Sequence, residues 1–488
     1  MTRVSVDLLD IRDKQGRILT TLAWGDEITV VERTGTQLQV ELTRFVEQDD
    51  GSIIPQRSGG FVKPSKSSKL SVDEVVSDRD AEDVLRLDFV DVQQGDGSVI
   101  ETPGGRVVLV DGGDNQLFAR YLANRFRGTT AENPKEIECI VVTHGDADHF
   151  VGLTEIHRSE ANATVRKRFF IHPKRVYHNG LVKRPDRVRE LDRLGPTVTV
   201  GRETFVTGLV DDLLAVPDGE MNDPFLEWKR ALAAFSRRGR VQFRRLRKGH
   251  GDPFRFLRDE GIRVQVLGPI EKNVGGNPAL EFLRVPPPRV GDESDASRGA
   301  RGKKSASHTI NGHSIVLRLA YGKWTFLYAG DLNEPAEASL LAEHDRRAID
   351  LRAEVLKVPH HGSADFAPKF LAAVSPLVSV VSSGDERITK EYIHPRASLM
   401  SALGRCGRGE DPVVFVTELV AFFKAEDWVE LKGRRFYAFS RAAFGLVKVR
   451  TDGERLLVYT NSAQTKLKEA YAYEFENGEP KRADIRRA

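Results

Sequence analysis

Residues 141–152 read VVTHGDADHFVG, and they place two imidazoles and two carboxylates just after an apolar strand: His144, Asp146, Asp148 and His149. Polar groups this costly to bury need a partner that satisfies them. Imidazole nitrogen and carboxylate oxygen are ligands for Zn²⁺ or Mn²⁺. His144 and Asp146 are two residues apart, so in an extended loop they point the same way, towards one ion. Asp148 and the adjacent His149 can then turn towards a second. A solvated loop of mixed charge is the bland reading, and three other strand ends argue against it.

The first is YAGD at 328–331, where Asp331 has two oxygens with which to bridge two ions. The second is KVPHHGS at 357–363. Here His360 is the expected metal ligand and His361 the supporting or acid group, with the reverse order left open. The third is IHP at 393–395, which supplies His394. Asp111, in LVDGG (109–113), is expected beneath the site, orienting a ligand histidine as carboxylates behind metal ligands do. Asp96 is expected to do similar work, and a turn cap is the alternative for both.

Working outward, the first 65 residues alternate in short runs (VSVDLLDI, ILTTLA, GDEITVVERT, QLQVELT, GGFV) with the period of strands. They are expected to form a small all-β unit, followed by a linker over 66–83. A second domain of mixed strands and helices is expected over 84–450, with a basic insert around 236–250 and a mobile loop over 270–308. Residues 451–488 read as C-terminal strands or an extension. At 488 residues the chain is long for one core.

With 74 basic and 71 acidic residues the net charge is only +3, so any polyanion-binding surface must be local. Two cysteines, Cys139 and Cys406, exclude a disulfide framework, and Cys139 reads as a buried core residue. No run of about 18 apolar residues suggests a membrane span, and the first residues carry no signal-peptide core, so the cytoplasm is the expected location.

THGDADH resembles the HxHxDH signature of the metallo-β-lactamase superfamily, with Asp146 in the place of the middle histidine. Taken with DVQQGDGSVI (91–100), LVDGG, HSIVLRLAYGKWTFLYAGD (313–331), VLKVPHHGS (355–363) and the late His394-Pro395, it is similar to the soluble domain of the DNA-internalisation family ComEC over roughly residues 84–450. The GDEITVVERTGTQLQVEL and GGFV segments resemble bacterial Src-homology-3-like barrels. The resemblance implies an α/β (α+β) fold, an αββα sandwich with a two-metal site at the edge of its sheets. It also implies a metal-dependent hydrolase, with phosphodiester cleavage the favoured chemistry.

Three departures stand out. Gln93 replaces the family's first glycine. His313 stands where relatives often carry Asn. The additional histidine expected between the HxHxDH loop and the bridging aspartate has no clear counterpart, and His178, His250 and His313 are the candidates. Oxygen-rich ligation of the first site would shift its preference towards Mn²⁺.

On this reading two divalent ions activate a water. Asp148 or Asp331 orients it, and His361 or His394 protonates the leaving group or grips a phosphate. SRRGRVQFRRLRKGHG (236–251) supplies Arg237, Arg238, Arg240, Arg244, Arg245, Arg247 and Lys248, with Phe235 and Phe243 interleaved and Arg166, Lys167 and Arg168 as further positive charge. Such a stretch suits phosphates and stacked bases, while a solvated face is the bland alternative. The leading expectation is a nuclease or phosphodiesterase on DNA or RNA. The alternatives are a small-molecule metallohydrolase (cyclic-nucleotide phosphodiesterase or lactonase) and a non-catalytic binding protein with a structural metal site. The N-terminal barrel is an expected surface for a protein partner.

Overall fold

The computed structural model describes residues 2–47, 53–64, 70–78, 83–285, 302–384, 394–409, 411–420, 422–431, 434–443, 445–460 and 469–488. Two sheets stack at its centre. The larger runs in spatial order Gln242–Arg245, Arg175–His178, Cys139–Val141, Val107–Asp111, Gly97–Glu101, Leu85–Val90, Leu446–Thr451, Arg455–Thr460, Ala470–Glu476, Glu479–Ala483. The smaller runs Ile262–Gly268, Val316–Tyr321, Trp324–Tyr328, Val355–Lys357, Val378–Val381, Val413–Val416. The α-helices are α1 (Leu117–Arg125), α2 (Ala147–Ser159), α3 (Asp223–Ser236), α4 (Ala306–Gly312), α5 (Glu334–Asp345), α6 (Pro368–Val374) and α7 (Ala397–Cys406).

The apolar strands are buried on both faces, which is why they read as continuous hydrophobic runs. Val108 and Val110 point between the sheets and join Leu317, Leu319, Phe326 and Val378 in one core. Val107 and Leu109 point the other way, onto Phe118 of α1, Phe150 of α2 and Trp228 of α3. On the far side Leu327, Leu356 and Val381 meet Leu340 of α5, Phe370 of α6 and Leu399 of α7. The layers are therefore helix, sheet, sheet, helix: an αββα sandwich, as the resemblance implies. Each buried Leu or Phe of this kind contributes about 1.5–3 kcal/mol.

Strand direction places the site. Gln242–Arg245, Arg175–His178, Cys139–Val141 and Val107–Asp111 run parallel. So do Trp324–Tyr328, Val355–Lys357, Val378–Val381 and Val413–Val416. Their carboxyl ends carry Asp111, His144, Asp331 and the His360-His361 pair to one edge, where open α/β sheets bind ligands. Helix α2 can seat there only because Gly152 lacks a side chain: a Cβ would lie 1.8 Å from the Gly112 carbonyl oxygen.

The N-terminal residues form a five-stranded antiparallel sheet in the order Ile18–Ala23, Leu8–Arg12, Ile53–Val62, Leu38–Glu47, Thr29–Arg33, a small barrel-like unit with its own core. Several boundary expectations need correction. Val72, Val75 and Val76 are buried in that N-terminal core and Val76–Ser77 pairs with Arg3–Val4, so residues 70–78 are structure rather than linker. Strands beyond residue 450 are not an appendage, because Arg455–Thr460 pairs directly with Leu446–Thr451 in the main sheet. The chain's last residues return to the barrel-like unit: Asp10 donates its N–H to the Ala488 carbonyl (2.8 Å) and Arg455 pairs with Asp7 (3.0 Å).

The expected mobile loop over 270–308 contains a hairpin, Lys272–Val274 with Asn277–Glu281, and the start of α4. Residues 286–301 of that expectation lie outside the described residues. The basic stretch is no insert either. It is the end of α3 followed by Gln242–Arg245, the edge strand of the ten-stranded sheet. Among the described residues no helix is long and apolar enough to cross a membrane.

Candidate metal centre

The 144–149 segment is not one extended loop. Helix α2 begins at Ala147, so Asp146 is its N-cap while Asp148 and His149 occupy its first turn. This corrects the expected pairing, because Asp148 and His149 are positioned by helix geometry and His144 by the strand end.

His149 and His361 form the floor, each backed by a carboxylate. His149 Nδ1 lies 2.9 Å from Asp111, and Asp111 also accepts from the Thr143 N–H (2.8 Å) and hydroxyl (2.7 Å). His361 Nδ1 bonds the Ser382 carbonyl (3.1 Å) and lies 3.2 Å from Asp96, which is itself ion-paired with the buried Lys357. Both Nε2 atoms are thereby aimed at Asp331, at 3.2 Å from His149 and 3.1 Å from His361. His144 Nε2 stands 3.8 Å from the same carboxylate, its Nδ1 held near the hydroxyls of Thr143 (3.2 Å) and Ser314 (3.3 Å). Asp148, which accepts from Gln94 (2.9 Å), completes the group at 3.6 Å from His361.

Among the described residues, ligand atoms within 4.8 Å of one another form two overlapping sets here, His144–His149–Asp331 and Asp148–His149–His361. Two more sets bring in Asp96 and Asp111 from behind. Nε2 of His144, His149 and His361 and Oδ1 of Asp331 are buried and make no well-formed hydrogen bond. Polar atoms of this kind are rare unless an ion satisfies them, and imidazole with carboxylate is a donor set that a divalent cation takes. The residues fit a metal ion.

The electrostatics point the same way. Burial would lower His361, yet Asp331 and Asp96 raise it to about 10. Burial likewise opposes charge on His149, and Asp331 and Asp111 hold it well above its ordinary value. Burial would raise Asp331, but His361 and His149 keep it well below the usual carboxylate range. The carboxylates draw positive charge into a buried pocket. Where no neighbouring acid dominates the balance, burial and His149 push His144 well down.

The two adjacent histidines are reversed relative to the first choice made from sequence. His361 joins the ligand sets, whereas His360 belongs to none of them and lines the cavity. Both sit at left-handed φ (48° and 53°), which splits their side chains between rim and floor at an order-of-magnitude cost of about 1–3 kcal/mol each. Asp146 is also missing from every ligand set; its carboxylate pairs with Lys183. His394 lines the cavity with its ring 6.3 Å from that of His360. Burial, with His360 and His361 nearby, pushes it down to about 3, so it stands as a neutral N–H donor.

None of the three candidate extra histidines arrives. His178 Nε2 contacts the Asp211 carbonyl (3.1 Å) and its Nδ1 accepts from the Gly180 N–H (3.1 Å). His313 Nε2 bonds the Glu281 carbonyl (2.8 Å), and His250 enters no ligand set. Gln94, Lys183 and Asn311 are cavity residues that the sequence reading missed. Gln94 lay inside the quoted DVQQGDGSVI motif, and Asn311 stands two residues before His313. Lys183 in LVKRP carried no signal.

Residues 90–367 match the metallo-beta-lactamase superfamily. The chain belongs to that superfamily. It is also 37% identical over 92 residues to Competence protein ComA of Neisseria gonorrhoeae, covering 19% of this chain and 12% of that protein. To ComE operon protein 3 of Bacillus subtilis (strain 168) it is 28% identical over 96 residues, covering 20% of this chain and again 12% of the relative. The similarity thus spans about an eighth of either relative's length. As a superfamily member, the chain carries a His/Asp centre of the kind that holds a divalent ion. Its departure at Gln93 falls on a residue with φ 64°, a conformation in which the family's glycine costs nothing.

The basic segment looks different once folded. Arg238 pairs with Glu160 (2.8 Å), Arg245 with Glu271 and Asp211, Arg247 with Glu271 (3.2 Å), and Lys248 with Glu343. Phe235 is fully buried and Phe243 packs on the same core. Arg237 and Arg240 are exposed and Arg244 is half-buried.

Proposed function

We propose that the chain is a metal-dependent phosphodiesterase acting on nucleic acid. The supporting observation is the contrast between floor and rim in the cavity over the centre, which holds about 260 Å³. Its floor is acidic, with Asp148 and Asp331, while its rim presents donors: the Lys183 ammonium, the amides of Gln94 and Asn311, and the imidazoles of His360 and His394. An anionic diester fits such a rim, and Asp148 and Asp331 would help to hold a divalent cation that offsets its charge.

A bound divalent ion supplies a water acidified for attack and neutralises charge on the phosphoryl oxygens. The chain's own part is positioning. Asp111 fixes the ring of His149, and the Ser382 carbonyl beside Asp96 fixes that of His361, so that each Nε2 faces Asp331. Gln94 holds Asp148 in an orientation to accept a hydrogen bond from the attacking water. Lys183 reaches the non-bridging oxygens, and His394 donates an N–H on the leaving-group side.

The test is turnover with Mn²⁺ or Zn²⁺ on single-stranded DNA, duplex DNA, RNA and an aryl phosphodiester, with Asp331→Ala as control. Equal inactivity of wild type and variant on every diester would sink the reading. A second reading, hydrolysis of small phosphodiesters, draws support from the four basic residues tied up in ion pairs. It predicts turnover of the aryl diester or a cyclic nucleotide and none of the polymers.

A further inference from the structure

We propose that the ammonium of Lys183 stands in for one of the two metal ions expected of this centre, so that the chain binds a single divalent ion and supplies the second cation itself. The inference rests on the metal-centre reading and concerns its stoichiometry.

Asp146 has both oxygens engaged. Lys183 Nζ sits on Oδ1, and with its amide turned to satisfy both of its atoms, Asn311 donates to Oδ2 at 2.9 Å. As the N-cap of α2, Asp146 would ordinarily accept a helix N–H, yet it makes no such bond. Its carboxylate is spent on the lysine instead.

Lys183 is held in place for this. Its carbonyl accepts from the N–H of Asn222, the N-cap of α3 (2.9 Å), and Leu181 and Val182 before it are buried. Nζ also reaches the Ser307 hydroxyl in the first turn of α4 (3.2 Å). Two helix starts and a strand-end loop therefore converge on one ammonium, which is a compact point charge with donors in three directions.

The two ligand sets here share His149, whose single Nε2 serves one ion only. His178 and His313 bond backbone carbonyls, and among the described residues Asp146 enters no group of three ligand atoms.

The experiment counts ions and needs no turnover. Metal-free full-length chain is reloaded with Mn²⁺, separated from free metal, and read by elemental analysis and electron paramagnetic resonance. Wild type and Lys183→Arg are expected to hold one Mn²⁺ per chain with the spectrum of an isolated ion. Lys183→Ala is expected to hold two with a spin-coupled spectrum. Lys183→Gln, which keeps the chain length and drops the charge, repeats the measurement with a side chain closer in size, and circular dichroism confirms folding. Two ions in wild type, or one ion in both neutral variants, would overturn the proposal while leaving the hydrolase reading intact. No ion in any protein would overturn both.

Discussion

Asp111 lies 2.9 Å from His149 Nδ1 and does so from a φ of 56°, a backbone conformation few residues other than glycine adopt. The strained position is held by Thr143, which donates to both Asp111 oxygens, and its effect is to fix which imidazole nitrogen faces the centre. Asp111→Asn should therefore leave the far-ultraviolet circular dichroism unchanged and weaken divalent-ion binding by about 10–100-fold. Competition with a chromophoric chelator measures it, and unaltered affinity would remove Asp111 from the site.

Asp331 is approached by His144, His149 and His361 at once. Asp331→Ala should abolish both stoichiometric metal retention and hydrolysis. It should also return His361 towards an ordinary imidazole value, because Asp331 is the leading cause of its elevation. Nuclear magnetic resonance titration of the metal-free variant reads that shift, and an unmoved His361 would contradict the geometry.

Gln93, at φ 64°, offers a backbone test. Gln93→Gly should stay within about 1 kcal/mol of wild type, since relief of strain offsets the entropy that glycine adds to the unfolded chain. Gln93→Val should cost about 1–2 kcal/mol, because a branched Cβ is least tolerated at left-handed φ. Urea midpoints for the two variants should separate in that order.

Asp88 gives the acid limb of stability. Burial would raise its carboxyl, but Arg125, then Lys448 and Arg450, hold it far below the usual range. The folded value is depressed, so this contribution is complete above the unfolded value of about 3.9 and is lost as pH falls below it. The difference in urea midpoint between wild type and Asp88→Asn should be constant from neutrality to about pH 5 and shrink below about pH 4. Asp88→Asn should cost about 3–5 kcal/mol at pH 7, because it strands buried cations.

The basic segment separates into two classes. Arg245→Ala breaks a buried pair with Glu271 and should destabilise by about 3–5 kcal/mol. Joint replacement of Arg237, Arg240 and Arg244 by Ala should leave the melting temperature unchanged, lower affinity for single-stranded DNA and flatten its salt dependence. Unchanged salt dependence would remove this edge strand from any nucleic-acid surface.

Much of the centre was legible because its donors sit in local motifs at strand ends. The continuous apolar runs before Asp111, THGD and PHHG announce strands buried on both faces, and a polar residue directly after such a strand must emerge at the sheet edge. His144, Asp148, His149 and Asp331 could be named on that basis. Adjacent residues were harder. His360 and His361 differ only in which left-handed turn sends a ring inward, and no period in the sequence encodes that. The arginines of 236–250 looked free because their partners, Glu160, Glu271 and Glu343, are distant in the chain.

The sequence by itself determined the strand-end placement of the centre and the chemical class of its donors, since burial patterns and ligand chemistry are properties of short segments; the layer order came through the resemblance of its motifs to a family. Only the tertiary structure decided that Asp146 faces Lys183 rather than the ligand cluster, that His361 is inside and His360 outside, and that residues 70–78 and 486–488 belong to the N-terminal unit. Those outcomes depend on contacts between segments tens to hundreds of residues apart. Such contacts are set by how the layers pack, not by anything written beside the residues they join.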